Sequence, residues 1–235
     1  MERHAIPDID IRNSLAKRGL ECHLLMEPRG EPEQNTLHAF RAALCAELRP
    51  IMEAAYDREL TETHLLHETW AVTIRHAEDP HSVVACATLQ FIPHYPCYFH
   101  THFEAVHPEN QGVGLGRLLY DCLAAWTRFL ALNDPLVLHA IACSSHQYFL
   151  VSTIDKEEGG ACGDEDDNEH GHGTFLKKLG FVRAQHDFAQ DIDHEVAFER
   201  HFAIPTSLGA EFFDSDTVSA LERADSVSLS AAPRA

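Results

Sequence analysis

The chain has 235 residues, with 18 Lys plus Arg against 37 Asp plus Glu, for a formal net charge of −19, and 18 His besides. A hydrophobic fraction of 45% with 23% charged residues is the mixture of a globular chain, long enough for a sizeable core in one large domain or two small ones. Such acidity argues against a nucleic-acid or anionic-membrane surface, since both need clustered Lys and Arg, and leaves cationic partners open.

Residues 1–19 are charged, lack a clear period and read as an N-terminal leader, with the folded domain expected over 20–203. Glu21 to Glu27 reads as a first strand, closed by Pro28-Arg29-Gly30. Behind an Asn35 cap, Leu37, Phe40, Ala43, Leu44 and Leu48 fall at helical spacing; Pro50 then interrupts, and a second helix is expected from Ile51 to about Leu66. Trp70 to Ile74 and Val83 to Phe91 read as strands joined by a link of hairpin length at Glu78 to Ser82, and a third strand spans Tyr98 to Val106. A helix from about Gly114 to Ala131 carries Leu115, Leu118, Leu119, Cys122, Leu123 and Trp126 on one face. The apolar run Leu136 to Ala142 reads as a strand, Thr174 to Leu179 as a helix ended by Gly180, and Phe181-Val182 and His194 to Phe202 as the closing strands. The acidic, glycine-dotted segment 155–173 reads as a mobile insertion and 204–235, rich in Ala and Ser, as a flexible tail. The fold class is mixed α/β, with neighbouring strands mostly antiparallel.

The first eight residues show no apolar run, and the longest apolar stretch is broken at Asn133-Asp134-Pro135, short of the roughly 20 residues that cross a bilayer, so neither a secretory signal nor a membrane partner is expected. The seven Cys form no C-x-x-C pair, which favours a reduced, cytoplasmic setting over disulfides or a zinc knuckle.

The chemistry concentrates in His100-Thr-His-Phe-Glu-Ala-Val-His-Pro-Glu-Asn-Gln-Gly-Val-Gly-Leu-Gly-Arg117: strand, turn, glycine-rich loop, helix. A glycine loop at a helix N-terminus presents unpaired backbone N–H groups to one point, an anion site suited to a pyrophosphate. It is not a Walker A loop, because Gly116 is followed by Arg117-Leu118, and it lacks the third Gly of the dinucleotide fingerprint.

Gln111-Gly-Val-Gly-Leu-Gly116 resembles the Q/R-x-x-G-x-G/A motif of the GNAT superfamily of acetyl-CoA-dependent N-acetyltransferases. Ala105-Val-His-Pro108 is similar to the strand end that precedes it there, and Phe175-Leu-Lys-Lys-Leu-Gly-Phe181 to the family's second signature. The resemblance implies a GNAT-like central mixed sheet flanked by helices and acetyl-CoA as co-substrate; no metal is expected, since His170 and His172 with Cys162 read as a solvated acidic loop more readily than as a weak metal site. It further implies that backbone near Glu104, Ala105 and Val106 holds the pantetheine arm, and that Gln111, Gly112, Val113, Gly114, Leu115, Gly116 and Arg117 cradle the pyrophosphate.

Acetyl transfer to an amine requires removal of a proton from an ammonium of pKa about 10. On a regular strand His100, His102, Glu104 and Val106 share one face, and two imidazoles there are candidate proton acceptors. The H-x-H-x-x-A-V run resembles the arylalkylamine (serotonin) N-acetyltransferase branch, which implies a small amine as acceptor and a relay through His100 and His102. Leu176 stands where the family's thiolate-protonating Tyr is found; Tyr148 is the candidate replacement, and Ser144 a candidate polar contact to pantetheine. Protein lysine or N-terminal acetylation and a non-catalytic acyl-CoA sensor are the alternatives. Phe91, Pro93, Tyr95, Pro96 and Phe99 either line an acceptor pocket or stiffen their loop. Asp164 to Asn168 fails as an EF-hand at its sixth and twelfth positions.

Overall fold

The computed structural model describes residues 2–26, 34–56, 61, 65, 70–155, 172–184 and 195–204. The expected insertion, apart from its two ends, and the tail from 205 lie outside the described residues. The elements are β1 (Glu2–Ala5), α1 (Ile9–Ala16), β2 (Leu20–Met26), α2 (Gln34–Tyr56), β3 (Trp70–His76), β4 (Asp79–Ile92), β5 (Tyr98–Thr101), β6 (Glu104–Val106), α3 (Leu115–Asn133), α4 (Pro135–Cys143), β7 (Gln147–Asp155), α5 (His172–Lys178), β8 (Val182–Arg183) and β9 (Glu195–Ala203). The strands form one sheet in the order β1-β2-β3-β4-β5-β7-β9-β8, with β6 on β4 beyond β5. All pairings are antiparallel except β5 with β7. The expected mixed, mostly antiparallel α/β sheet flanked by helices is therefore the fold.

The sheet is sandwiched because β3 and β4 are apolar on both faces. Trp70, Val72 and Ile74 pack with Ala85, Ala87, Phe99 and Leu150 against α1 and α3, whereas Ala71, Cys86, Phe103 and Ala105 pack against Phe40, Leu44 and Leu48 of α2. On the α2 side the fully buried Arg75 donates to Thr73 Oγ1 at 2.8 Å and to the carboxylate of Glu47, which Arg3 also holds at 3.1 Å.

Four expectations are corrected. Residues 1–19 are not a loose leader: β1 extends the sheet, Asp8 caps α1 by accepting from the Asp10 and Ile11 N–H groups at 3.0 Å, and Ile6 and Leu15 are buried. The helix at Asn35 already runs from Gln34 and passes Pro50 without ending, since Leu48, Ile51 and Met52 continue its buried stripe across the proline. Residues 135–143 are helix α4, started by Asp134, which accepts from the Leu136 and Val137 N–H groups at 3.0 and 3.3 Å, with Pro135 in the first turn. The strand sought there is β7, farther on. Finally, the strand expected over Tyr98 to Val106 is broken in two.

That break positions the site. β4 meets β5 through Gln90 and His100 and meets β6 through Ala87 and Glu104. Thr88 and Leu89 thus stand opposite Thr101, His102 and Phe103, one residue too many, which is a β-bulge. The Thr88 N–H donates to the Phe103 carbonyl at 2.8 Å, and the Phe103 N–H donates to Thr88 Oγ1 at 3.1 Å. Thr88 is 1% exposed, so replacing it with Val deprives a buried N–H of that acceptor. T88V is expected to cost about 1–3 kcal/mol in denaturant unfolding; a loss within error would show that the bulge stands without this bond.

Candidate active site

β5 stays hydrogen-bonded to β7 as far as Thr101 opposite Ser152, whereas β6 pairs with β4 and not with β7. The sheet therefore opens between β6 and β7. Below the opening lies a cavity of about 720 Å³, lined by Glu104, Ala105 and Val106 of β6, by the glycine loop and first turn of α3, and by Tyr56, Tyr120, His172 and Phe175.

The loop has the expected construction. Gly114 has φ 83°, a conformation L side chains rarely adopt, and caps α3 without a side-chain bond. The first helical bond is from the Leu118 N–H to the Gly114 carbonyl, so the N–H groups before it are free to converge on an anion at the positive end of a 19-residue helix. At Gly116 an added Cβ would lie 3.2 Å from the Phe175 ring, so glycine lets α5 close on α3. The Gln111 amide donates to the Val106 carbonyl at 3.3 Å and ties the loop to β6. Gly112, Leu115 and Arg117 line the cavity, while Val113 is exposed at the loop tip. Arg18, at the end of the segment read as a leader, donates to the Val113 carbonyl at 3.2 Å and brings a second guanidinium to the loop.

At the head of the cavity the Glu104 carboxylate accepts from the Tyr120 hydroxyl, from Ser152 Oγ at 2.9 Å and from Thr101 Oγ1 at 3.0 Å, with His172 Nε2 at 3.5 Å. Tyr56 donates to the Glu104 carbonyl. Burial, reinforced by the carboxylate, pushes the Tyr120 phenol well above its ordinary range. The sequence reading missed this cluster. Tyr120 lies in the apolar stripe of α3 and reads as core, and Ser152 belongs to the misplaced strand. His172 reads, with His170 and Cys162, as part of a solvated acidic loop or as a weak metal site. The available signal was a phenol tip on an otherwise aliphatic helix face.

His100 and His102 come together, their rings stacked at 5.7 Å and 20°, with His102 on Phe103 at 4.2 Å and His100 Nε2 3.2 Å from Thr153 Oγ1. They do not share a face with Glu104 and Val106. The bulge turns Glu104 to the Thr101 side, toward α3, and leaves the imidazoles on the α2 side. Burial first, then the neighbouring imidazole, lowers His100 to about 4, against an opposing effect of Glu104.

Two expected site residues lie elsewhere. Tyr148 is 1% exposed in the core, edge-on to Phe99 at 5.6 Å and stacked on Phe202 at 5.2 Å; burial pushes its phenol up to about 12 although Thr127 bonds it. Ser144 ends α4 beside the Cys97 thiol, at the opposite end of β7 from the opening. Neither lines the cavity. Leu176 is fully buried and offers no proton. Phe99 is buried and packs on Phe91 at 4.9 Å, so this pair builds core, and Tyr95 is 82% exposed.

No family model and no curated protein matches the chain. Solved structures with a similar course of chain include the ribosomal-protein-S18-alanine N-acetyltransferase from Escherichia coli, at 14% identity and a TM-score of 0.39, covering 82% of this chain and 99% of that one. Ard1 from Thermoplasma volcanium matches at 12% identity and 0.40, covering 68% and 92%. Arabidopsis thaliana Naa50, in complex with a bisubstrate analogue, matches at 10% identity and 0.40, covering 79% and 99%. At such identities and scores the likeness assigns no activity to this chain.

Because His100 titrates near 4 when folded and near 6.5 when unfolded, its neutral form stabilises the fold fully above 6.5, and that contribution fades as pH falls through the interval toward 4. Imidazole NMR should find His100 neutral at pH 5.5, and H100Q should flatten the acid slope of stability over that window; a His100 midpoint near 6.5 would contradict the burial described.

Proposed function

We propose that the chain is an N-acetyltransferase that moves acetyl from acetyl-CoA to a primary amine, a small arylalkylamine-like or other cationic one. The observation that carries this reading is the single cavity joining the N–H-rich loop of α3 to the opening between β6 and β7. A pyrophosphate on the loop sends the pantetheine arm along Glu104 to Val106. The arm's thioester end then stops where β5 and β7 close again, at Thr101 and Ser152.

An amine entering from the α2 side meets the histidine pair there. Neutral at physiological pH, His100 is in the accepting form, but an ammonium at about 10 and an imidazole at about 4 differ by roughly six pH units, about 8 kcal/mol. His100 alone is thus a poor final acceptor. The exposed His102 stacked on it passes the proton to water, which makes the pair a relay. The acetylated amine forms by direct attack in a ternary complex. Among the described cysteines only Cys143 is exposed, and it lies on α4, away from the cavity, so none of the described thiols is placed to form an acyl-enzyme.

Release of CoA thiol is to be followed with tryptamine, phenethylamine, polyamine and free-N-terminus or lysine peptide acceptors. Turnover is expected with the small cationic amines. Preference for peptides would favour protein acetylation, and saturable CoA binding with no release on any acceptor would favour a sensor. In the His100→Gln, His102→Gln double variant, turnover should fall on the order of 10²-fold or more with CoA affinity unchanged; undiminished turnover removes the relay. With a net charge of −19, the acceptor KM should rise with ionic strength.

A further inference from the structure

The proposed reaction leaves one proton unassigned. When acetyl passes to nitrogen, the carbon–sulfur bond breaks, its electron pair stays on sulfur, and the thiolate must be protonated to leave as CoA-SH. Neither Leu176, Tyr148 nor Ser144 reaches the cavity. Two other groups in it are engaged. The Tyr120 hydroxyl is committed to Glu104, and losing its proton would put a buried phenolate against a carboxylate. The Tyr56 hydroxyl is turned to the Glu104 main-chain carbonyl.

His172 differs from both. It is the first residue of α5, its Nε2 lies 3.5 Å from Glu104 Oε2, and its ring meets Phe175 edge-on at 5.8 Å. Its side chain is 44% exposed, so it lines the cavity and still reaches solvent. Glu104 is 9% exposed and fixed from three sides by hydroxyls of β5, α3 and β7. Those hydroxyls bond its oxygens without carrying charge, and His172 is a basic side chain paired with it.

We propose that His172, held by Glu104, is the catalytic residue that protonates the departing CoA thiolate; this rests on the acetyl-transfer reading above. The imidazolium N–H passes to sulfur, which yields CoA-SH and neutral imidazole, and solvent recharges the ring. Among the described residues, the other ionisable groups facing the site are Tyr120 and Arg117 of α3, Tyr56 of α2 and, across the bulge, His100.

The test uses the full chain and CoA itself, without an acceptor. The bound thiol is titrated by its thiolate absorbance in the wild type and in His172→Ala and His172→Gln. An imidazolium beside the sulfur favours the thiolate, so the wild-type thiol should titrate about one pH unit or more below that of either variant, with CoA affinity retained in both. Equal thiol titration in wild type and variants overturns the assignment. So does loss of CoA binding in both variants, which would make His172 a binding residue. Failure of the wild type to bind CoA at all is a separate result, and it removes the acetyl-transfer reading with this one.

Discussion

The site depends on one extra residue. Between His100 and Glu104 the strand carries one residue more than β4 opposite, and the Thr88 side chain and backbone both bond Phe103 to hold the excess. Two consequences follow from the pleat. Side-chain alternation is reset, so Thr101 and Glu104 face α3 while His100 and His102 face the α2 side. The chain also turns away from β7, ending a parallel ladder whose continuation would fill the space between β6 and β7. A regular strand would offer the same residues on one closed surface, with no cavity and no division between its polar groups.

Charge is distributed to suit that cavity. A chain of net −19 repels a polyanion at long range, yet the loop end of the cavity is positive through backbone N–H groups and the helix dipole, joined by Arg117 and by Arg18 from the N-terminal segment. The other end holds a carboxylate. Burying Glu104 is costly, and three hydroxyls from three different elements are spent on it. β5, β7 and α3 are thereby tied together at the head of the opening.

What the sequence made legible was local. The glycine loop, α3 and β9 follow from motif and period within a residue or two of their bounds, while the β3–β4 hairpin is legible as a pair although β4 begins four residues earlier, at Asp79. What escaped depends on partners distant in sequence. Leu136 to Ala142 is apolar at nearly every position, so period does not separate helix from strand, and it is the Asp134 cap with Pro135 in the first turn that marks the helix. The N-terminal segment has few apolar residues, and only pairing with β2 reveals it as sheet edge. A bulge leaves no mark on a pattern read as strict alternation, and so the histidines and Glu104 were assigned to one face. Tyr120 and Ser152 became visible as site residues only once β6 and β7 were seen to part.

The division of faces bears on the chemistry proposed. Acetyl transfer removes a proton from nitrogen and supplies one to sulfur. Here the His100–His102 pair, proposed to accept, stands on the α2 side and the His172–Glu104 pair on the α3 side, with the bulged strand between them. The two sides also differ in environment. His100 is buried and pushed toward its neutral form, the state that accepts. His172 is half open to water, with its Nε2 3.5 Å from the Glu104 carboxylate. The residue that turns that carboxylate away from the first pair and toward the second is the extra one in the strand.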